Sequence, residues 1–137
     1  MPFAYAYWVN RMEASINTNT ILMDHFMNPR NMGEMENPDG VGEAQNPVCG
    51  DTMRLFIKVE GNRINDAKFL TFGCSAAIAS SSITTEMIKD KTLEEALLIS
   101  NQMVTDALGG LPPTKVHCSV LAEQAIKAAI FDYRKKT

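Results

Sequence analysis

Hydrophobic and polar residues alternate along MRLFIKVE, from Met53 to Glu60, and a second run, RINDAKFLTF, rich in β-branched and aromatic residues, follows Gly61-Asn62. A period of two on both sides of a Gly-Asn pair predicts a β-hairpin. Gly73 closes the second run, after which SAAIASSSITTEMIKDK sets Ala76, Ala79, Ile83 and Met87 at helical spacing, one face of a helix. Thr92 with Glu95 forms a capping box ahead of LEEALLIS, a further short helical segment runs from about Asn101 to the Gly109-Gly110 stop, and LPP starts the chain afresh. From about Lys115 to Arg134, Leu121, Ala125, Ala128 and Ala129 make one stripe of a long helix with basic residues near its end. Upstream, Thr18, Asn19 and Thr20 are each suited to cap a short helix through ILMDHFM, which Asn28-Pro29 ends. Between Asn28 and Asp51 lies a loop-rich stretch with three Pro and four Gly, containing a short edge strand at Val41 to Gln45. Residues 1–18, MPFAYAYWVNRMEASINT, sustain no period and read as an N-terminal extension without regular structure, leaving 19–137 as one domain. Hairpin first and helices afterwards implies an α+β fold, a small antiparallel sheet of about three strands with helices packed on one face.

Composition narrows the function. At 137 residues, 45% apolar and 21% charged, the chain matches one soluble globular domain. No window approaches ~18 consecutive apolar residues, which argues against a membrane partner, and no secretory signal opens the chain, so the expected compartment is the cytoplasm. A net charge of -3 provides no broad cationic face, and no nucleic-acid partner is expected. Three cysteines, an odd number without an export signal, point away from a disulfide framework and toward free thiols or metal ligation.

Each cysteine falls at an element boundary: Cys49 in the loop before the hairpin, Cys74 where strand becomes helix, and Cys118 in the first turn of the last helix. Helix N-termini favour thiolate at Cys74 and Cys118, and Lys115 adds a positive charge three residues before Cys118. Asp51 and His117 offer a carboxylate and an imidazole. Three thiolates plus one harder group suit tetrahedral zinc or the irons of a cluster. The plainer readings are a buried hydrophobic Cys, a loop-capping Asp51, a core or capping His25, and Met53, Met87 and Met103 as core filler. Two rival chemistries fit less well. His117 and Cys118, adjacent on a helix, diverge by roughly 100° and make a poor nucleophile-base pair. A structural zinc site would ordinarily show close CxxC pairs, and there are none.

The blocks NPVCGD, TFGCSAAIASSS and LPPTKVHCSVLAEQAIKAAI resemble the three signatures of the IscU/NifU N-terminal-type iron-sulfur cluster assembly scaffolds. The likeness extends through MDHFMNPRNMGEMENPDGVG and covers about residues 20 to 135. It implies that Cys49, Cys74 and Cys118 hold a transient [2Fe-2S] cluster, that Asp51 and His117 are the variable further ligands, and that Cys118 accepts persulfide sulfur with Lys115 in support. It implies a scaffold and carrier rather than a turnover enzyme, with iron as cargo and zinc in the cluster-free form. The implied partners are a cysteine desulfurase, recipient apo iron-sulfur proteins, Hsp70/J-type chaperones and an electron or iron donor, and a homodimer or higher oligomer is compatible with the family. SufU-type relatives typically insert a segment before the last cysteine block and lack the His before that Cys, so His117 favours the IscU-like reading over a zinc-bound, SufU-like sulfur acceptor or desulfurase regulator. NifU relatives carry further cysteine-bearing domains, whereas no Cys follows Cys118 here, and a separate scaffold is expected. Thr114 stands where the family's chaperone-recognition pentapeptide usually has Val, and Ser75 where Gly is common after the Cys.

Overall fold

Three strands, β1 (Gly40–Gln45), β2 (Thr52–Glu60) and β3 (Arg63–Phe72), form an antiparallel sheet in the order β1-β2-β3, in a computed structural model that describes residues 20–46 and 50–136. The helices are α1 (Thr20–Met27), α2 (Ser75–Ile88), α3 (Leu93–Leu97), α4 (Asn101–Ala107) and α5 (Val116–Lys136), with a single 3₁₀ turn, Pro113–Lys115, leading into α5. The expected extension, residues 1–18, and Cys49 lie outside the described residues.

Alternation gives the sheet its two faces. Met53, Leu55 and Ile57 of β2 and Ile64, Ala67 and Phe69 of β3 are fully buried beneath the helices, while Arg54 and Phe72 are exposed on the other side. The Gly61-Asn62 turn takes left-handed backbone at both residues, φ 58° and 68°, the geometry that matches the twist of a hairpin. Two positions beyond it, the pairing slips. Glu60 faces Arg63 and Val59 faces Ile64, but Lys58 faces Asp66, so Asn65 is an extra residue and a β-bulge shifts every later pair by one.

Strand β1 lies against α5 at a distance only glycine permits: a Cβ on Gly42 would run into the Ala129 nitrogen and stand 2.5 Å from the Ala125 oxygen. The alanine stripe of α5 is therefore a seat for a strand, with Ala122, Ala125 and Ala129 fully buried and Ala128 half-buried at its margin. Backbone groups on both outer strands are engaged. The Val41 N–H donates to Asp132 Oδ2 of α5 at 2.9 Å on one side. On the other, the Phe69 N–H donates to the Asn31 carbonyl at 3.0 Å, the Gly33 N–H donates to the Phe69 carbonyl at 2.8 Å, and the Ile64 N–H donates to the Lys91 carbonyl at 2.8 Å.

Helix α2 departs from the single apolar face expected of it. It is buried on several sides, with Ala76, Ala77, Ala79, Ser80, Ser81, Ser82, Ile83, Thr84, Thr85 and Ile88 all inside, because α1 lies on its back while β3 and α5 hold its front. Small side chains allow that double contact. His25 of α1 is a core histidine, as its setting suggested, with Nδ1 2.8 Å from Ser82 Oγ. Met53 fills the core and Met87 packs at its edge, but Met103 is 45% exposed and does not. The Thr92–Glu95 capping box forms in both directions, and its helix stops at Leu97, shorter than LEEALLIS suggests.

Candidate functional site

The bulge in the hairpin decides what meets at the far end of the sheet. Thr52 pairs with Phe72 as the last rung, so Asp51 and Gly73 are the next residues across from each other, on the helix-facing side that Met53 and Thr71 also occupy. Asp51 is held there by its carbonyl, which accepts the Asn46 N–H at 2.8 Å, and is 8% exposed. One residue past Gly73, Cys74 takes extended backbone as the N-cap of α2, and its carbonyl accepts the Ala77 and Ile78 N–H groups. Cys118, third residue of α5, comes down beside both and is 1% exposed. His117 stands at the rim, half-exposed.

Four side chains from three elements converge. The Cys74 and Cys118 sulfurs are 3.6 Å apart, and Asp51 Oδ2 lies 3.8 Å from the first and 3.9 Å from the second. His117 Nε2 is 3.7 Å from the same oxygen. One donor atom each from Asp51, His117 and Cys118 fall within 4.8 Å of one another. These spacings fit a bound ion. Around a tetrahedral centre with metal–sulfur bonds of about 2.3 Å, two sulfurs stand about 3.8 Å apart and a sulfur and a carboxylate oxygen about 3.6 Å. The set is soft and hard together, two thiols with a carboxylate and an imidazole, the mixture that both zinc and a cluster iron accept. His117 and Cys118 both address the space beside Asp51.

One expectation is overturned. The helix N-terminus does not set the Cys118 thiol's behaviour: burial raises its pKa above the ordinary thiol value, and the neighbouring Cys74 and the negative Asp51 raise it further. The Lys115 ammonium pulls the other way and is outweighed. Desolvation therefore defeats the helix dipole at this depth. A cation reverses the balance, because metal coordination deprotonates a thiol outright and releases its proton.

Of the residues singled out from the sequence, Asp51, Cys74, His117 and Cys118 gather within contact distance, Lys115 lies half-exposed in the turn before α5, and Cys49 lies outside the described residues. Sequence reading left Gly73 as a mere strand end, yet the Asp51 carboxylate stands where a side chain at 73 would begin: a Cβ there would lie 2.8 Å from both Cγ and Oδ1. No count along the sequence reveals this. Without the bulge, Asp51 would stand opposite Phe72.

Known proteins carry the same plan. Residues 17–137 match the NifU-like N terminal domain family. Over 115 residues the chain is 60% identical to iron-sulfur cluster assembly scaffold protein IscU 1 of Archaeoglobus fulgidus, covering 84% of this chain and 75% of that protein. Over 119 residues it is 56% identical to the scaffold protein IscU of Azotobacter vinelandii, covering 84% and 92%. The crystal structure of a Fervidobacterium islandicum protein assigned to the SUF system superposes with a TM-score of 0.70 at 25% identity, covering 81% of this chain and 94% of that one. With a family match that spans all but its first residues and a three-stranded sheet whose helices bring two of the signature cysteines together, this chain belongs to the NifU-like N-terminal domain family.

Proposed function

We propose that this protein is a scaffold that builds labile [2Fe-2S] clusters from iron and desulfurase-derived sulfur and passes them to recipient apo-proteins. The observation that carries the reading is the meeting of Cys74, Cys118 and Asp51 within 3.6 to 3.9 Å, beside His117. Cys49 completes the ligand set in this proposal on sequence grounds. Its relatives named as iron-sulfur scaffolds, at 55 to 60% identity, support the same assignment.

In the sulfur step, Cys118 gives up its proton to solvent when a cation binds beside it, its thiolate attacks the outer sulfur of a desulfurase persulfide, the donor's S–S bond breaks, and the donor leaves as thiolate while Cys118 carries the persulfide. Conversion of that sulfur to sulfide takes two electrons from a separate electron donor, and iron comes from an iron donor. Lys115 helps the attack by favouring negative charge on Cys118. The chain acts as a carrier and not as a turnover enzyme, because a carboxylate among thiolates is the ligand most readily exchanged. A cytoplasmic setting, Hsp70/J-type chaperones as partners and a homodimer or higher oligomer remain part of this proposal on the family resemblance. Among the described residues no helix is long and apolar enough to cross a membrane.

The competing reading, a zinc-bound sulfur acceptor that regulates a desulfurase, rests on the fit of a single tetrahedral ion between the two sulfurs and Asp51. Anaerobic reconstitution with ferrous iron and sulfide, followed by visible absorption, separates the two. The scaffold yields the absorption bands of a [2Fe-2S] cluster and releases any zinc it held. A protein that keeps its zinc and shows no cluster bands is the regulator.

A further inference from the structure

We infer that Gly73 is a positioning residue for the site: its missing side chain is the space in which the Asp51 carboxylate stands. The inference deepens the scaffold reading and rests on it for its biological meaning. The need for glycine at 73 is spatial, since its backbone does not take the left-handed conformation that Gly50, Gly61, Gly109 and Gly110 adopt. A Cβ would meet Asp51 Cγ and Oδ1 at 2.8 Å and the Ala77 Cβ at 3.1 Å. Those two contacts lie on opposite terms. Ala77 is on the first turn of α2, fully buried and anchored by its N–H to the Cys74 carbonyl at 3.0 Å. Asp51 has its backbone fixed by Asn46, but its carboxylate is the end of a side chain with two rotatable bonds. Any methyl at 73 is therefore accommodated by swinging the carboxylate.

The direction of that swing is set by what Asp51 touches. Its Oδ2 is shared among Cys74, Cys118 and His117 at 3.7 to 3.9 Å, so moving the carboxyl group off Gly73 changes all three distances together. Gly73 thus fixes the carboxylate's distance to both thiols, and a larger residue would leave Asp51 present in sequence but displaced as a ligand. The bulge at Asn65 belongs to the same device, since it brings position 73, and not the bulky Phe72, opposite Asp51.

The test is a double-mutant cycle on the full chain with Gly73→Ala, Asp51→Ala and the pair, read in two ways. Anaerobic titration with Co²⁺ alone reports ligand geometry through the thiolate charge-transfer and d–d bands. Gly73→Ala should weaken Co²⁺ binding by about 10-fold or more, the range typical of groups that orient a ligand, and should shift the bands toward those of Asp51→Ala. The double variant should bind Co²⁺ as Asp51→Ala does, with no additional loss. Unfolding of the metal-free proteins is the second readout: Gly73→Ala should lower the midpoint, and the same methyl should cost less in the Asp51→Ala background, where the room has been vacated. Unchanged Co²⁺ affinity in Gly73→Ala, or losses that multiply in the double variant, would overturn the inference. Should Gly73→Ala fail to fold, folding of the double variant supports the spatial role and its failure refutes it. The unfolding cycle needs no metal, so a wild-type protein that assembles no cluster would sink the scaffold reading while leaving this one to be decided.

Discussion

His25 Nδ1 lies 2.8 Å from Ser82 Oγ, and the same hydroxyl accepts the Arg30 N–H at 2.8 Å. Ser82 Oγ thus joins the His25 ring to the start of the loop after α1, inside the contact between α1 and α2. Burial holds the His25 pKa below the ordinary value of 6.5, Arg30 lowers it further, and the nearby Asp24 and Glu86 charges do not compensate. A group with a depressed folded pKa contributes stability above its unfolded value and loses it as pH falls. The α1–α2 contact should therefore weaken below about pH 6.5. Thermal unfolding from pH 7.5 to 5 should show a falling midpoint for the wild type and a flatter profile for His25→Gln. Parallel profiles would assign the acid sensitivity elsewhere.

The hydroxyls of α2 divide into satisfied and orphaned. Ser81 donates to the Ala77 carbonyl at 2.8 Å and meets Thr71 Oγ1 at 2.7 Å. Ser80 and Thr84 are fully buried, and their hydroxyls have no hydrogen-bond partner among the described residues. An unmade buried hydrogen bond costs on the order of 1 kcal/mol or more. Ser80→Ala and Thr84→Val should each raise stability by about 1 kcal/mol, whereas Ser81→Ala should lower it by about the same amount, as read by denaturant unfolding. Destabilisation by both of the first two would show that their hydroxyls are paired in solution.

Cys118→Ser should fold, since the hydroxyl is smaller than the thiol, and should lose the capacity to carry persulfide, because an alkoxide is inaccessible near neutral pH. Mass spectrometry after incubation with a cysteine desulfurase and cysteine reads the added sulfur directly. Its persistence on the variant would move the acceptor to Cys74 or Cys49.

Asp51→Ala should assemble a cluster that survives longer and is handed to an apo-ferredoxin more slowly, by about 10-fold or more. The variant loses the hardest ligand of the set and a negative charge that sits 3.8 to 3.9 Å from both thiols. Cluster absorbance during anaerobic transfer gives the rate. Equal or faster transfer would confine Asp51 to a structural part, whose signature is a stability loss of roughly 0.5 to 2 kcal/mol with unaltered transfer.

The strong local signals in the chain all survive folding. The hairpin, the Thr92–Glu95 box, the stop at Gly109-Gly110 and the long C-terminal helix each depend on neighbours a few residues away, and periodicity reads such neighbours well. What it could not read is the chain's extra residue at Asn65, because a bulge leaves alternation of β2 intact and betrays itself only in the pairing. The pairing of Asp51 with Gly73 followed that bulge out of sight. Burial of Cys118 was hidden for a related reason: its position in the first turn of α5 is local, but the groups that crowd it and raise its pKa, Cys74 and Asp51, lie 44 and 67 residues away in sequence. The polar run SSSITT concealed the double burial of α2, since serines and threonines usually mark an exposed surface and here make room for a second helix.

The blocked edges of the sheet limit how this protein keeps company. A three-stranded ladder ordinarily offers its outer amides to any passing strand, yet on β3 the outward groups at Ile64 and Phe69 are already spoken for by Lys91, Asn31 and Gly33, and the Ala67 N–H turns to Asp66 Oδ1 at 2.9 Å. On β1 the Val41 amide belongs to Asp132. Strand addition at these groups would first require peeling away the segment at 31–33 or loosening the last helix. A visiting protein thus reads side chains and not backbone, which allows brief visits by unlike partners to an end of the molecule without the risk that any of them, or a second copy, zips onto the ladder and stays.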